Sequence, residues 1–398
     1  MITIADKKDC CGCGACMNIC PKGSIAMQPD HEGFLYPRVD ESTCIGCGLC
    51  EKVCPVLHVK KDEPMQQAAY IVQIKDETVR RESTAGGAFT AIAEHVLRQG
   101  GVVYGVAYDS EFHVGHTSAE TAGELFRFRN SKYVQSDTKN TFREAEAHLK
   151  AGRMVCYSGT PCQIEGLRQY LRKDYENLIT VDVVCHAVPS PLIWEKYLEM
   201  QRERLGDGFT NVLFRDKHYG YKYSTMTIKG QDGKNVYNYG IDTDPMLRAF
   251  FSDICDRPSC YECAFKKRYR VCDFTIWDCY SVGNFDKKLD DDKGTTRVLI
   301  HSEKGRDLFE QIKPQLRYTE VTPDQLTAGV REMFHSVSGN EKREQFFRDA
   351  NSKSGEALFG QYFPETMKVR LERTVRIVCY KTGIYSAAKR VFKAITGR

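Results

Sequence analysis

The feature that most constrains this chain is a cysteine pattern that occurs twice near its N-terminus. Residues 10–21 and 44–55 each contain three cysteines at intervals of three, a fourth cysteine four positions later, and then a proline. Three such cysteines can hold three corners of an iron–sulfur cube, while the fourth points to the other cube. The repeat therefore predicts two 4Fe-4S clusters with ligands exchanged between the halves: Cys10, Cys13, Cys16 and Cys54 on one, and Cys44, Cys47, Cys50 and Cys20 on the other.

Zinc sites and disulfides are the alternatives for these cysteines. Zinc sites usually join two Cys-x2-Cys pairs across a longer loop, and disulfides need an oxidising compartment. Glycines between the cysteines leave room for backbone N–H groups near the sulfides. Residues 1–57 resemble a two-cluster bacterial ferredoxin, and Cys11, which lies outside the pattern, is interpreted as a bystander.

Charge and hydropathy exclude several classes of protein. The net charge is +4, but residues 368–398 hold nine Lys or Arg against Glu372 alone, so residues 1–367 carry −4. Nucleic-acid binding therefore gets no support. No apolar run is long enough to cross a bilayer, and the N-terminus has no visible targeting segment, so a cytoplasmic location is expected.

The rest of the chain predicts a multidomain α/β and α+β protein. A polar linker at 58–68 leads into a domain at 69–330, where strands and helices alternate as in a parallel or mixed sheet. Short alternating runs between about 210 and 240 predict an antiparallel insertion. Helices are expected to dominate from about 303, with a helical C-terminal region at 331–398.

Ligands of α/β sheets bind where strands end and helices begin, and three such turns are candidates. The turn at 83–87 is either a phosphate-binding turn or an ordinary helix start. In the turn at 158–163, Cys162 is either a thiolate favoured by the helix dipole or an inert buried cysteine. His186, after a β-branched strand, is either a general acid or a structural histidine.

A third group of cysteines lies at Cys255, Cys260 and Cys263. Their spacing suits a further iron–sulfur cluster, with zinc as the alternative. Local spacing leaves the fourth ligand open. Cys185 is the first choice and Cys162 the second, and Cys272 and Cys279 are either substitutes or packing residues.

Five segments resemble the coenzyme F420 hydrogenase/dehydrogenase beta-subunit family. They are residues 83–109, 130–137, 158–167, 182–198 and 257–278, and with the ferredoxin module they extend the resemblance over about residues 1–330. Members include beta subunits of deazaflavin-reducing hydrogenases and formate dehydrogenases, and plant 7-hydroxymethyl chlorophyll a reductases.

The resemblance implies a flavin, usually FAD but with FMN or none as alternatives, beside a 4Fe-4S cluster. The implied cluster ligands are Cys185, Cys255, Cys260 and Cys263. The implied flavin contacts are Ser83, Thr84, Gly86, Gly87, Ser131, Lys132, Tyr133, Gly159, Thr160, Pro161 and Gln163. The chain departs from the family at His186-Ala187 and at 277–281. The second departure lies near the expected substrate side of the flavin, so it puts the substrate in doubt more than the fold.

These features predict a flavin-dependent oxidoreductase with a built-in ferredoxin. An external ferredoxin or other redox partner would supply electrons, which pass through the clusters to the flavin and then to a small organic substrate. His186, Cys162 and Tyr133 are the candidate proton donors. The alternative functions are an electron-transfer subunit without its own substrate and a structural cluster carrier, and a homo-oligomer is possible in either case.

The basic C-terminal segment also has two interpretations. Residues 369–398 have apolar residues at near-helical spacing with Lys and Arg between them. The segment either packs on the body with a solvated basic face, which the sequence favours, or lies on an anionic membrane or acidic partner.

Overall fold

The computed structural model describes residues 1–385. The strands are β1 (Ile25–Pro29), β2 (Leu35–Val39), β3 (Ala68–Ile74), β4 (Val102–Tyr108), β5 (Val114–Ala119), β6 (Val155–Gly159), β7 (Leu178–Val183), β8 (Phe209–Asp216), β9 (Thr225–Gly230), β10 (Asn235–Gly240), β11 (Phe274–Asp278), β12 (Thr296–Ile300) and β13 (Leu316–Val321).

The helices are α1 (Ala15–Ile19), α2 (Leu49–Lys52), α3 (Glu77–Glu82), α4 (Ala88–Arg98), α5 (Thr141–Lys150), α6 (Pro161–Leu171), α7 (Pro191–Leu205), α8 (Pro245–Phe251), α9 (Glu303–Ile312), α10 (Pro323–Thr327), α11 (Arg331–Phe334), α12 (Arg343–Ala350), α13 (Gly355–Tyr362) and α14 (Met367–Lys381). Within residues 1–385, none of the helices combines the length and the apolar character that a bilayer crossing requires.

The N-terminal module keeps the symmetry of its sequence repeat. Strands β1 and β2 form an antiparallel hairpin between the two cysteine segments. Gly14 and Gly48 immediately precede helices α1 and α2, and their φ angles of +76° and +70° lie in the left-handed region. A side chain is strained there, so these two glycines are required by the turns that present the cysteines.

The body is built on an eight-stranded mixed sheet in the order β13-β3-β12-β11-β7-β6-β4-β5. The four central strands β4, β6, β7 and β11 are parallel, and the pairings outside them are antiparallel. This confirms the predicted mixed sheet. Strands β8, β9 and β10 form a separate antiparallel sheet at the place of the predicted insertion.

Four strands of the large sheet were not predicted from the sequence. Strand β5 carries polar residues at the edge of the sheet, and β11 and β12 are five-residue runs. Runs this short have no period that separates a strand from a helix. Strand β13 forms the opposite edge inside the region where helices were expected, and most of its residues are exposed or half-buried.

The N-terminal module packs on the body through its buried residues. Cys13, Ala15 and Val53 belong to the same apolar cluster as residues of α5, α6 and the sheet. A Cβ added at Gly166 of α6 would lie 2.8 Å from the Cys13 sulfur. The backbone of α6 therefore approaches the first cysteine segment closely, and Gly166 makes that approach possible.

An ion pair at the start of α12 ties the module to the C-terminal helices. Both terminal nitrogens of Arg343 donate to the Glu32 carboxylate, at 2.8 Å and 2.7 Å. The side chains are 15% and 9% exposed. Removal of one partner would leave the other charge buried without compensation.

We expect Arg343→Met to lower the free energy of unfolding by about 3 kcal/mol. The control is Arg348→Met on the same helix, because Arg348 and its partner Glu344 are 63% and 86% exposed. Exposed pairs contribute less than about 1 kcal/mol. Melting temperatures of the anaerobically purified variants measure the difference, and equal melting temperatures would contradict the structural role of this pair.

Candidate functional site

The structure places the eight repeat cysteines around two small cavities. One cavity is lined by Cys20, Cys44, Cys47 and Cys50, and the other by Cys10, Cys13, Cys16 and Cys54. Each set takes three cysteines from one repeat and one from the other. This is the crossed grouping that the spacing predicts for two 4Fe-4S clusters.

A third cavity, of about 50 Å³, collects five further cysteines at the junction of the module and the body. They are Cys11, Cys162, Cys185, Cys260 and Cys263. Three of them, Cys185, Cys260 and Cys263, are candidate ligands of the third cluster. Cys162, the second choice for the fourth ligand, lines this cavity, and so does Cys11, which the sequence had suggested was a bystander.

Cys255, which the family resemblance implies as a cluster ligand, is not among the residues that line this cavity. Its side chain is fully buried in the apolar cluster that also holds Phe34 and Trp194. Its carbonyl accepts a 2.9 Å hydrogen bond from the Ser190 backbone, which pins the segment against the start of α7. Cys272 and Cys279 are likewise buried in apolar clusters.

The environment of Cys162 differs from the thiolate-favouring one expected at a helix start. Cys162 is the second residue of α6, and its sulfur lies 3.2 Å from the Thr160 hydroxyl. A hydrogen bond with Cys11 and burial together raise its pKa well above the usual range. Both effects oppose the thiolate that a helix dipole favours.

A large cavity of about 1060 Å³ lies beside the third cysteine cavity. Most of the candidate flavin contacts line it: Ser83, Thr84, Gly87, Ser131, Lys132, Tyr133, Gly159, Thr160 and Gln163. Gly86 is instead packed on the sheet, where an added Cβ would lie 2.4 Å from the Val72 carbonyl oxygen. Pro161 lines the cysteine cavity, and residues 185–188 line both cavities.

A buried hydrogen-bond network shapes the turn between β6 and α6. Gln163 accepts a 3.0 Å bond from the Thr160 backbone and donates at 2.9 Å to the Ser136 hydroxyl. His116 lies 3.2 Å from that hydroxyl and 3.0 Å from the Ser158 carbonyl. His116 was missed because nothing in the alternating strand β5 distinguishes it from a packing residue.

Lys132 shapes a loop at the cavity wall. Its ammonium group donates to the carbonyls of Arg127, Arg129 and Asn130 at 3.0–3.3 Å. Burial lowers its pKa to about 7. The side chain therefore holds the 127–130 loop in place, and its hydrogen bonds are already used within the protein.

The insertion sheet contributes a buried arginine that sequence reasoning also missed. Arg215 of β8 donates to the Tyr133 hydroxyl at 2.9 Å and to Asp278 at 3.2 Å, and it also contacts the Tyr280 hydroxyl. Asp278 and Tyr280 belong to the segment where the sequence departs from the family pattern. That departure from the family pattern was the one sequence signal that pointed to this part of the wall of the large cavity.

His186 stands between the two cavities and lines both. Its Nε2 atom lies 2.8 Å from a carboxylate oxygen of Asp253. Its ring contacts Phe250 edge-on, with the ring centres 5.0 Å apart. The imidazole is thus oriented by a carboxylate and an aromatic ring at the cavity wall.

The His116 environment generates a prediction about pH. Burial lowers the pKa of His116 to about 4, whereas an unfolded histidine binds a proton below about pH 6.5. The unfolded state therefore binds more protons in this window, and the stabilisation is lost as the pH falls from about 6.5 towards 4. We expect His116→Gln to flatten the fall in melting temperature over this range.

The control is His58→Gln, because His58 is exposed. Melting temperatures are measured from pH 7 to pH 5. The same slope in both variants would contradict the role assigned to His116.

Two segments of the chain match known families. Residues 152–325 match the C terminus of the coenzyme F420 hydrogenase/dehydrogenase beta subunit, and residues 9–57 match the 4Fe-4S dicluster domain. No curated protein matches the chain. A chain in a xenon-derivative structure of the F420-reducing NiFe hydrogenase complex from Methanosarcina barkeri is similar, with 16% identity, a TM-score of 0.45 and coverage of 65% of this chain and 85% of that chain.

The first family match contains Cys162, Cys185, Cys260 and Cys263, and the second contains both cysteine repeats. The chain is therefore an iron–sulfur electron-transfer protein that is related, over residues 152–325, to the C terminus of the coenzyme F420 hydrogenase/dehydrogenase beta subunit and has an N-terminal 4Fe-4S dicluster domain.

Proposed function

We propose that the chain is an iron–sulfur flavoprotein oxidoreductase. An external ferredoxin supplies electrons to the N-terminal clusters, and a third cluster and FAD relay them to a small organic substrate in the large cavity. The observation that carries the proposal is the shared wall at 185–188, which separates the third cysteine cavity from the large cavity.

The order of the cavities supports a linear route. The cavity of Cys10, Cys13, Cys16 and Cys54 shares Cys11 and Val56 with the third cysteine cavity. We call the cavity lined by Cys20, Cys44, Cys47 and Cys50 the outer cavity. An apolar cluster that includes Ile25 and Cys50 connects it to the cavity of the first repeat. Electrons that arrive at the outer cluster would pass each remaining site in turn.

Four cysteines suit the third cluster. Cys162, Cys185, Cys260 and Cys263 converge on one cavity, and four thiolates are the usual ligand set of a 4Fe-4S cluster. Lys266 supports this wall, because its ammonium group donates to the carbonyls of Cys185 and His186. Cys162 is thereby assigned to the cluster and is no longer a candidate proton donor.

The large cavity suits a flavin. The first turn of α4, at 88–90, lines it, and backbone N–H groups at a helix start bind phosphate well. Gly87, at a φ of +86°, begins that helix and also lines the cavity. A bound flavin would exchange single electrons with the cluster and pairs of electrons with the substrate.

Two side chains remain candidates for proton transfer to a substrate. Tyr133 stacks on Phe250 with ring centres 4.7 Å apart, and its hydroxyl accepts a hydrogen bond from Arg215. This hydrogen bond holds the hydroxyl at the wall of the large cavity. His186 is the second candidate, oriented by Asp253.

The alternative function is an electron-transfer subunit of a larger hydrogenase or dehydrogenase complex, without its own substrate. Ile45, between Cys44 and Gly46, is 59% exposed and lines the outer cavity. An exposed apolar side chain beside a cluster suits transient docking of a redox protein. This surface serves both functions, so the contents of the large cavity distinguish them.

We expect the anaerobically purified protein to contain about twelve irons, matching sulfide and one FAD per chain. Cys162→Ser is expected to lose about four irons. Cys255→Ser, which changes a cysteine of the same segment that lies away from the cavity, is the matched control and is expected to keep all of them.

Iron, sulfide and extracted flavin are measured on the same samples. Full iron without flavin would favour the alternative function, whereas zinc without sulfide would refute the proposal. Equal iron loss in both variants would remove Cys162 from the ligand set.

The C-terminal helix supports a further contact, with an anionic membrane surface. Along α14, Met367, Leu371, Val375 and Val378 form one stripe that is 51–77% exposed. The polar face points inward: Arg376 pairs with Asp242 at 3.1 Å. This is the reverse of a helix that packs on the body by its apolar face.

Anionic lipid fits both parts of this surface. The apolar stripe would enter the interface, and the basic residues of 368–398 other than the inward-facing Arg373 and Arg376 would contact the headgroups. Residues 386–398 of the basic segment lie outside the described residues, so this assignment rests on α14 and on the sequence.

We expect the holoprotein to sediment with vesicles that contain phosphatidylglycerol, and Leu371→Asp and Val375→Asp to bind several-fold less. Thr374→Asp is the control, because it adds the same charge at an exposed polar position of α14. Equal binding by Thr374→Asp and Val375→Asp, or no binding by the unchanged protein, would contradict the membrane contact. Dimers in solution that Leu371→Asp dissociates would assign the stripe to a second copy instead.

A further inference from the structure

A buried carboxylate lies beside the wall between the cavities without any partner. Asp256 is 0% exposed, and neither of its carboxylate oxygens forms a hydrogen bond within the described part of the chain. Burial of an uncompensated carboxylate is costly, so such groups are normally paired, protonated or bound to a cation.

Two other potential ligands converge on the same point. A nitrogen of His186 and one carboxylate oxygen each from Asp253 and Asp256 all lie within 4.8 Å of one another. Asp253 has a φ of +58°, a conformation that non-glycine residues rarely adopt. His186 and Asp253 are partly exposed, with side chains 25% and 19% accessible, so an ion from solution can reach them.

The neighbouring cations are already engaged elsewhere. Lys266 donates to the carbonyls of Cys185, His186 and Glu332. Arg343 holds the Glu32 carboxylate with two hydrogen bonds and reaches only the backbone carbonyl of Asp256, at 3.0 Å. Neither neutralises the Asp256 carboxylate through direct contact.

A second, largely buried aspartate shows what a neutralised carboxylate looks like in this protein. Asp242 also has two carboxylate oxygens without a hydrogen bond. Its oxygen, however, lies 3.1 Å from the Arg376 guanidinium, which supplies the opposite charge. Among residues 1–385, Asp256 has no equivalent ion pair, and it faces a histidine and another carboxylate instead.

We propose that His186, Asp253 and Asp256 form a site for a divalent cation, separate from the iron–sulfur clusters. One imidazole and two carboxylates suit Mn²⁺ or Fe²⁺ better than a thiol-preferring ion. The site accounts for the unpartnered Asp256 and for the convergence of three ligand atoms.

The position of the site gives the cation a role if the large cavity binds a substrate, which rests on the proposed function. Because His186 lines that cavity, a cation bound to it lies at the wall and can coordinate a substrate oxygen. The bound cation would also occupy the imidazole of His186, which leaves Tyr133 as the proton donor.

Mn²⁺ titration of the anaerobically purified holoprotein tests the site. The EPR signal of free Mn²⁺ measures binding directly, and Mn²⁺ prefers oxygen and nitrogen ligands over the cysteines. We expect one site per chain. Asp256→Asn, which keeps the side-chain volume and removes the charge, should bind at least about tenfold more weakly.

Asp242→Asn is the matched control and should bind Mn²⁺ as the unchanged protein does. Asp253→Asn provides a second, partly exposed ligand variant if Asp256→Asn does not fold. No site in the unchanged protein, or equal affinity in the ligand variants, overturns the proposal. Equal affinity together with a raised melting temperature in Asp256→Asn would identify Asp256 as a protonated acid. These outcomes do not depend on flavin or iron content, so the proposed function is tested separately.

Discussion

The side chain of Arg257 connects the parts of the molecule on which the arrangement of cavities depends. Only 1% exposed, it donates to the carbonyls of Cys10 and Leu35 and to the Gln135 side chain, at 2.8–3.2 Å. Its guanidinium stacks on Tyr36, 4.2 Å from the ring centre. Since Arg257 precedes Cys260 and Cys263, it fixes the third cysteine group against the first cysteine repeat.

A buried guanidinium without a carboxylate is stable only if backbone and aromatic groups satisfy it fully. Here those groups come from the N-terminal module and from Gln135 of the body, so the charge is satisfied only when the two are correctly docked. This requirement explains how a ferredoxin module on a polar linker reaches a defined position. The sequence of cavities from the module to the sheet follows from that docking.

The sequence could predict what depends on local spacing. The cysteine repeats have one sterically sensible grouping, and the strand-to-helix turns of an α/β sheet converge at one edge, so Ser83 and Gly159 could be expected to line the same cavity. Tyr133 was a candidate only through the family resemblance. The position of Cys255 could not be predicted, because spacing does not show that its side chain lies in the apolar core while that of Cys260 lines the cavity. His116 and Arg215 act through partners distant in sequence, and only the fold brings those partners together.

The C-terminal helix shows a different limit. Periodicity identified an amphipathic segment, but the natural expectation was that its apolar face packs on the body. Ion pairs of Arg376 and stacking of Arg373 on Tyr239 hold the polar face inward instead. Which face of such a helix is buried depends on the surface that receives it, and this surface is assembled from the insertion sheet.

In the proposed function, electrons cross from the ferredoxin module to the large cavity through the third cysteine site. Anaerobic mixing with reduced ferredoxin, followed by flavin absorbance, tests this directly. We expect rapid loss of the oxidised flavin signal in the unchanged protein and at least a tenfold slower loss in Cys162→Ser with its N-terminal clusters intact. Equal rates in the two proteins would contradict it.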